Sequence, residues 1–410
     1  MKKSSLFQNK AISFNQLSNK YHMNNKILES EPNPTLVTLR DNKAKWNLPE
    51  YRRKGYRYLH KINRYGLLFR SDAVLKLDKK INPNIEKIPL VQKMINHKSF
   101  CSLIVGRDQD ILFERYADDF SEFQPQTIMS ITKLFLNLFI GELVEQKAIE
   151  LDKTVGFYLP NIGSGYADAS IQDVLNMNVI NSYSEDYTDP YTSSFLQESV
   201  GGWRLPEKLG QNQNQEEFLN GIEAEEGKDL KNSSDLAFYK SANTDVLALL
   251  VERVSGRELR EWVLSVVEAV GFEDALYMAT DRTGMPWLSG GGCLISRDFL
   301  RMGLLFSRKG LGVENRSVGS SAFIDETLKF PGPKYMQLTN DKFVYYANQT
   351  MKSNEWIGHS GYGGQFLMMN LKTKLVAGFF SVLETPSATD ESYKTDMICM
   401  LDEIVSGKYE

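Results

Sequence analysis

TIMSITKLFLNLFIGELVEQ, residues Thr127–Gln146, decides how the chain is read. Its apolar residues recur at i, i+3, i+4 and i+7, which predicts a strongly amphipathic helix. Ser130 and Lys133 fall in its first turns, just after a Pro–Gln loop. Residues i and i+3 share a helix face, about 5–6 Å apart at Cβ, so the Lys133 amine can reach the Ser130 hydroxyl. The N-terminal end of a helix disfavours an ammonium and favours an oxyanion. A lysine that serves as a base must fall from about 10.4 toward 7, roughly 4–5 kcal/mol. The helix dipole supplies about 0.3–1 kcal/mol, so burial and a cationic neighbour must do most of it. Ser-x-x-Lys occurs once in the chain. An N-cap serine followed by a surface lysine would spell the same four letters, so the setting has to be read with its neighbours.

Two further motifs follow in order. Tyr239-Lys240-Ser241-Ala242-Asn243 precedes a second helical run, so Tyr239 can face a cleft at a helix start. An adjacent cation would lower its phenol below the usual value near 10, and the phenol could then relay a proton. Tyr191-Thr192-Ser193 and Tyr346-Ala347-Asn348 resemble this motif, but the second sits in a strand-like run. Gly358-His359-Ser360-Gly361-Tyr362-Gly363-Gly364 comes near the end. Its glycines would let a strand backbone approach a substrate and offer N–H donors to an oxyanion. It is not a Gly-x-Ser-x-Gly elbow, because the fifth residue is Tyr362 and a strand pattern follows. A fourth feature, Tyr183 to Pro190, combines acids and aromatics in a long polar stretch and can line a substrate cleft.

Around these motifs the chain alternates in kind. Ser99–Gly106 and Asp110–Tyr116 form a hairpin pattern. Helical patterns occupy 171–177 and 243–256, with Gly256 as C-cap. The stretch 178–235 shows no strand pattern and reads as a functional or lid-like loop. Ser296 reads as the N-cap of the run that follows it. Strand patterns then cover 342–348, 363–370 and 375–383, and an amphipathic helix closes the chain. The expected fold is α/β (α+β): an antiparallel sheet built from both chain ends, flanked by helices, with an all-helical domain inserted. Residues 46–145 and 286–410 form the α/β part, 146–285 the inserted domain with its cleft loops, and 1–45 a loosely ordered extension. The aromatic- and cation-rich segment 45–66 should pack on the main body.

Composition excludes several classes. Of 410 residues, 42% are hydrophobic and 24% charged, enough to build a core without staples. A formal charge of -4 gives no case for nucleic acid or an anionic membrane surface. Three distant cysteines argue against a disulfide framework, and four scattered histidines against zinc. No apolar run reaches the 18 residues of a span, and the basic start MKKSS lacks an apolar segment behind it, so a cytoplasmic protein is expected.

Ser-x-x-Lys, a pre-helix tyrosine and a His-x-Gly strand before a final helix together resemble the serine β-lactamase and penicillin-binding-protein family. The chain looks closest to its class C–like esterases, and among them to the 6-aminohexanoate-dimer (nylon-oligomer) hydrolases. FYKSANTDVLALLVERVSG, SEDYTDP, GGWRLP and IELDKTVGFYLP carry that likeness. The resemblance implies a β-lactamase-like sandwich. It also implies Ser130 as acylated nucleophile, Lys133 as base and Tyr239 as proton relay. The backbone N–H groups of Ser130 and Tyr362 would form the oxyanion hole. Tyr187, Ser241, Asn243, His359, Ser360 and Gly361 would contact substrate. The third motif reads His359-Ser360-Gly361 where β-lactamases carry Lys-Thr-Gly, which is the form of the esterase and peptidase branches. The implied activity is hydrolysis of an amide or ester of a small molecule or peptide, with no cofactor. An acyltransferase or peptide-cyclising enzyme using the same acyl-enzyme is the alternative, and an inactive binding protein on the same fold a further one. The oligomeric state stays open, a homodimer included.

Overall fold

The computed structural model of the protein describes residues 45–187, 189, 191–205, 213–339, 342–353 and 355–409. The extension expected over 1–45 lies outside these residues but for Lys45, as do Thr188 and Pro190 of the acidic loop. The described strands are β1 (Gly66–Phe69), β2 (Asp78–Lys79), β3 (Phe100–Arg107), β4 (Asp110–Tyr116), β5 (Gln126–Thr127), β6 (Leu276–Ala279), β7 (Gly292–Leu294), β8 (Lys334–Gln337), β9 (Phe343–Ala347), β10 (Thr350–Lys352), β11 (Trp356–Gly361), β12 (Gln365–Asn370) and β13 (Leu375–Ser381). The helices that bear on the site are α1 (Pro49–Ile62), α2 (Leu134–Glu145), α3 (Ser193–Val200), α4 (Ser241–Ser255), α5 (Ser296–Ser307) and α6 (Glu391–Ser406).

Among the described residues nine strands form the main sheet, in the order β2-β4-β3-β13-β12-β11-β10-β9-β8. The seam between the two chain ends is the β3–β13 ladder, which pairs Ser102 with Phe380 and Arg107 with Leu375. All its ladders are antiparallel except the short β2–β4 pair. Side chains alternate across a strand, and here both faces are covered. Leu103 and Val105 of β3, with Phe366 and Met368 of β12, pack with Met397, Ile398 and Leu401 of α6. Ile104 of β3, with Leu367 and Met369 of β12, packs with Phe299, Leu300 and Leu304 of α5. Strands buried on two faces read as continuous apolar runs, which is why VAGFF and FLMM show no alternation.

Helix ends follow their caps. Gly256 closes α4 in the left-handed conformation, φ 64°, as expected from its position. Asp390 caps α6 by accepting from the Tyr393 amide. The segment from Trp46 packs as anticipated: Trp46 and Tyr56 are buried, and the buried Arg52 guanidinium donates to the carbonyls of Leu383 and Thr385 beyond β13.

Several local expectations are corrected. Residues 127–146 are not one amphipathic helix. Gln126–Thr127 is a strand, Met129–Lys133 a 3-10 turn, and only Leu134–Glu145 is α-helical. Helix α2 is buried on nearly every side, because it lies against α4 and the helix Ser321–Lys329. Its Asn137 is buried, and the side-chain NH2 donates to the Thr327 hydroxyl and the Asn348 carbonyl, so the period reflected a central helix rather than one with a wide wet face. Ser296 does not cap α5; Ile295 holds the cap position and the Ser296 hydroxyl pairs with that of Ser102 at 2.7 Å. The described residues of the stretch 178–235 include two helices, α3 and Gln215–Asn220. Residues 146–285 are not purely helical. Their strand β6 joins β1, β7 and β5 in a second, four-stranded sheet.

Candidate active site

The 3-10 turn begins at Met129, whose φ of 51° is unusual for a residue with a side chain. The Thr132 hydroxyl donates to the Met129 carbonyl at 2.7 Å and closes the turn. Gly292 of β7 donates its amide to the same hydroxyl at 3.1 Å, so the small sheet holds the turn from below. Ser130 is thereby left half-buried at the surface of a cleft while Met129, Ile131, Thr132 and Lys133 are buried around it. The nucleophile candidate therefore sits on a tight turn just before α2, not inside that helix's first turns.

Lys133 is fully buried. Its Nζ donates to Ser130 Oγ at 3.1 Å, to Ser241 Oγ at 3.1 Å and to the Ser289 carbonyl. Burial lowers its pKa to about 8, against the pull of the Glu185 and Asp245 carboxylates, which favour the ammonium. Among the described residues no cationic neighbour contributes to this, and the depression comes from desolvation. Its ammonium position also lies 5.2 Å from the Tyr239 ring centroid.

Tyr239 lines the same cavity as Ser130, whose side chain favours the phenolate. Its pKa is nonetheless well above 10, because burial and the rings of Tyr346 and Tyr335 with the Glu185 carboxylate outweigh it. The expected lowering of this phenol is therefore corrected; the ring is a protonated donor enclosed by Tyr335, Tyr346 and His359. Tyr346, the tyrosine of the look-alike motif, lies in β9.

The third motif forms the opposite wall. A Cβ on Gly361 would lie 2.5 Å from the Ile128 carbonyl oxygen and 3.0 Å from Met129 Cβ. Only glycine lets β11 lie this close to the turn that carries Ser130. Gly363 and Gly364, with φ of 83° and 107°, then turn the chain into β12. Ser130, Tyr187, Tyr239, Ser360, Gly361 and Tyr362 consequently line one cavity of about 150 Å³. A smaller adjoining cavity shares Ser130, Tyr187 and Tyr362 and adds Ser241, Trp203 and Trp287. The Tyr187 and Tyr362 rings, 4.8 Å apart, stand between the two.

Two expected contact residues are elsewhere. His359 is fully buried behind the wall; its ring bonds the Tyr346 hydroxyl at 3.0 Å and the Ser360 carbonyl at 2.7 Å. The carbonyl can only accept, so Nδ1 carries the proton and the ring is neutral, with its pKa lowered to about 3 by burial. Asn243 is buried too, accepting from the Tyr166 hydroxyl at 2.8 Å and donating to the Val174 carbonyl. Both shape the site from behind rather than line it.

Two carboxylates escaped the sequence reading as individual residues. Asp245, buried in α4, accepts from the Ser289 amide and hydroxyl, the Trp287 indole and Gln197. It fixes the loop whose Ser289 carbonyl takes the Lys133 proton donor. Glu185 accepts from the Ser241 amide and hydroxyl and from the Tyr187 hydroxyl. The acidic-aromatic loop pointed to the neighbourhood of Glu185; nothing in the sequence singled out Asp245.

A family model described as Beta-lactamase matches residues 101–395, most of the chain. The chain belongs to the beta-lactamase family. As a member it is an enzyme of the serine-hydrolase type, and the resemblance carried by the three motifs holds for both family and fold. It is 26% identical over 272 residues to the 6-aminohexanoate-dimer hydrolase of Paenarthrobacter ureafaciens, covering 66% of this chain and 67% of that one. A Bacillus anthracis structure, provisionally named a 6-aminohexanoate-dimer hydrolase, aligns with a TM-score of 0.74 and 19% identity. It covers 92% of this chain and 98% of that one. A D-stereospecific amidohydrolase from Streptomyces sp. aligns with a TM-score of 0.55 and 15% identity, over 79% of this chain and 98% of its own. Among the described residues no helix of this beta-lactamase-family chain is long and apolar enough to cross a membrane.

Proposed function

We propose that the chain hydrolyses an amide or ester of a small molecule or peptide through an acyl-enzyme on Ser130. The observation that carries this is a fully buried lysine, lowered to about 8, in hydrogen-bond contact with a cleft serine. At pH 7 about a tenth of Lys133 is then neutral amine, far more than for a solvated lysine. In acylation the Ser130 O–H bond breaks, its proton passes to Lys133 Nζ, and Oγ bonds to the substrate carbonyl carbon. The developing oxyanion is held by the backbone N–H groups of Ser130 and Tyr362. Tyr239, a protonated phenol beside Ser130, delivers a proton to the leaving nitrogen or oxygen and is reprotonated from Lys133. Water then adds to the acyl carbon, Ser130 leaves with a proton, and the acid product departs. Tyr187, Ser360 and Gly361 frame the substrate, with Ser241 behind Lys133.

The relatives named for the 6-aminohexanoate dimer make a linear amide a sensible first substrate, and hydrolysis requires no second specific site for an acceptor amine. A cytoplasmic setting fits three free cysteines, two of them buried. The test is turnover of a panel of linear amides and p-nitrophenyl esters by Ser130→Ala. We expect loss of at least about 1000-fold in kcat with an unchanged melting temperature. Wild-type turnover by that variant would sink the assignment.

A further inference from the structure

The hydrogen bonds around Lys133 have a direction, and it is set by Glu185. The Ser289 carbonyl can only accept. The Ser241 hydroxyl gives its hydrogen to Glu185 Oε1 at 2.7 Å, so toward Lys133 it too can only accept. A neutral amine has two N–H bonds and one lone pair. Both N–H bonds are taken by Ser289 and Ser241, and the lone pair is left for the third neighbour, the Ser130 hydroxyl at 3.1 Å. Among the described residues Glu185 itself receives only donors: the Ser241 amide, the Ser241 hydroxyl and the Tyr187 hydroxyl.

We propose that Glu185 is a positioning residue for this proton transfer, which makes Ser241 an acceptor and so turns the lone pair of neutral Lys133 onto Ser130. It rests on the reading of Ser130 and Lys133 as nucleophile and base. When Ser130 gives up its proton, Lys133 becomes an ammonium with three donors, and the same two acceptors hold two of them. The Glu185 carboxylate favours that ammonium, as does Asp245 from α4. Lys240, ahead of α4, feels the Glu185 charge, as does the buried Glu198 of α3, which pairs with Arg204. Tyr166, Tyr183, Tyr187, Tyr239 and Tyr346 around it are phenols with raised pKa values, and His359 is neutral.

Glu185→Gln tests the direction with little change of shape. An amide has one acceptor oxygen; with that oxygen on the Ser241 amide, its NH2 faces Ser241 Oγ and reverses the hydroxyl toward Lys133. The lone pair is then captured. The readout is the rate of Ser130 labelling by a fluorophosphonate between pH 6 and 10, followed by intact mass, with melting temperature as the folding check. We expect about a 100-fold slower labelling in Glu185→Gln, an acid-limb midpoint moved to lower pH, and recovery of at least tenfold in Glu185→Asp. In a Ser241→Ala background the same Glu185→Gln change should alter the rate less than threefold, because the hydroxyl it acts through is gone. Labelling of Glu185→Gln at the wild-type rate would overturn the proposal. So would equal losses in both backgrounds with an unmoved midpoint. Absence of label on Ser130 in the wild type would instead overturn the nucleophile assignment beneath it.

Discussion

In the proposed mechanism the chemistry turns on Lys133, and opposing effects meet there. Two carboxylates favour its ammonium, while complete burial favours the amine and prevails. A fall from 10.5 to about 8 corresponds to about 3 kcal/mol. The pH dependence follows with a definite sign. Base strength is available only in the deprotonated form, so kcat/KM should rise with pH through about 8 and level off above it. Tyr239, held well above 10, should cause no alkaline fall below that pH. A profile flat from pH 6 to 9 would contradict this role for Lys133. The Ser-x-x-Lys spacing, the pre-helix tyrosine and the glycine-flanked strand were legible as residues, since each is a local pattern. Asp245 and Glu185 were not, because their partners Ser289 and Ser241 lie 44 and 56 residues away and no spacing records such contacts. His359 and Asn243 lie in the right motifs but are buried with their own partners, and sequence does not tell a wall from its backing.

At the scale of elements, the site is a turn pressed against a strand. β11 runs along the 3-10 turn, and at Gly361 its backbone comes close to the Ile128 carbonyl at the start of that turn. Gly361→Val would put its Cβ 2.5 Å from the Ile128 carbonyl, a backbone atom that cannot swing aside. β11 must then shift, carrying Tyr362 away from Ser130. We expect kcat/KM to fall by about 100-fold, since an ångström of misplacement is enough, with a stability loss of about 1–3 kcal/mol. Wild-type kinetics in that variant would show that the approach of β11 is not needed. The apolar period over 127–146 gave a helix of the right extent for its second half but could not reveal the 3-10 turn. That turn depends on Met129 at positive φ and on Gly292 reaching Thr132 from another sheet. Strands of two to four residues such as β5, β6 and β7 are too short to show a period, so the second sheet had no signature.

Across the whole molecule, both chain ends build one sheet, and this brings β11 to a turn more than 200 residues earlier. That arrangement was legible, because long apolar strands flank a helical middle. Buried titratable groups also tie the molecule's stability to pH. His359 titrates near 3 when folded against 6.5 in its unperturbed state. As pH falls from 6.5 toward 3, the unfolded chain takes a proton that the folded chain refuses, and stability is lost. Asp245 and Asp298, raised to about 6 by burial, act oppositely over pH 6 to 4, since the folded state is protonated first. His359→Gln should therefore flatten the fall in urea-unfolding free energy below pH 6.5 by up to about 1.4 kcal/mol per pH unit. Parallel curves for variant and wild type would contradict the buried neutral ring. Sheet, turn and helices converge on one oxygen atom, Ser130 Oγ, and the most direct test is covalent. The folded protein is incubated with a fluorophosphonate, weighed intact and mapped by peptide. The prediction is a single adduct on Ser130, absent from Lys133→Ala. An adduct on Ser360, or none on folded protein, would contradict it.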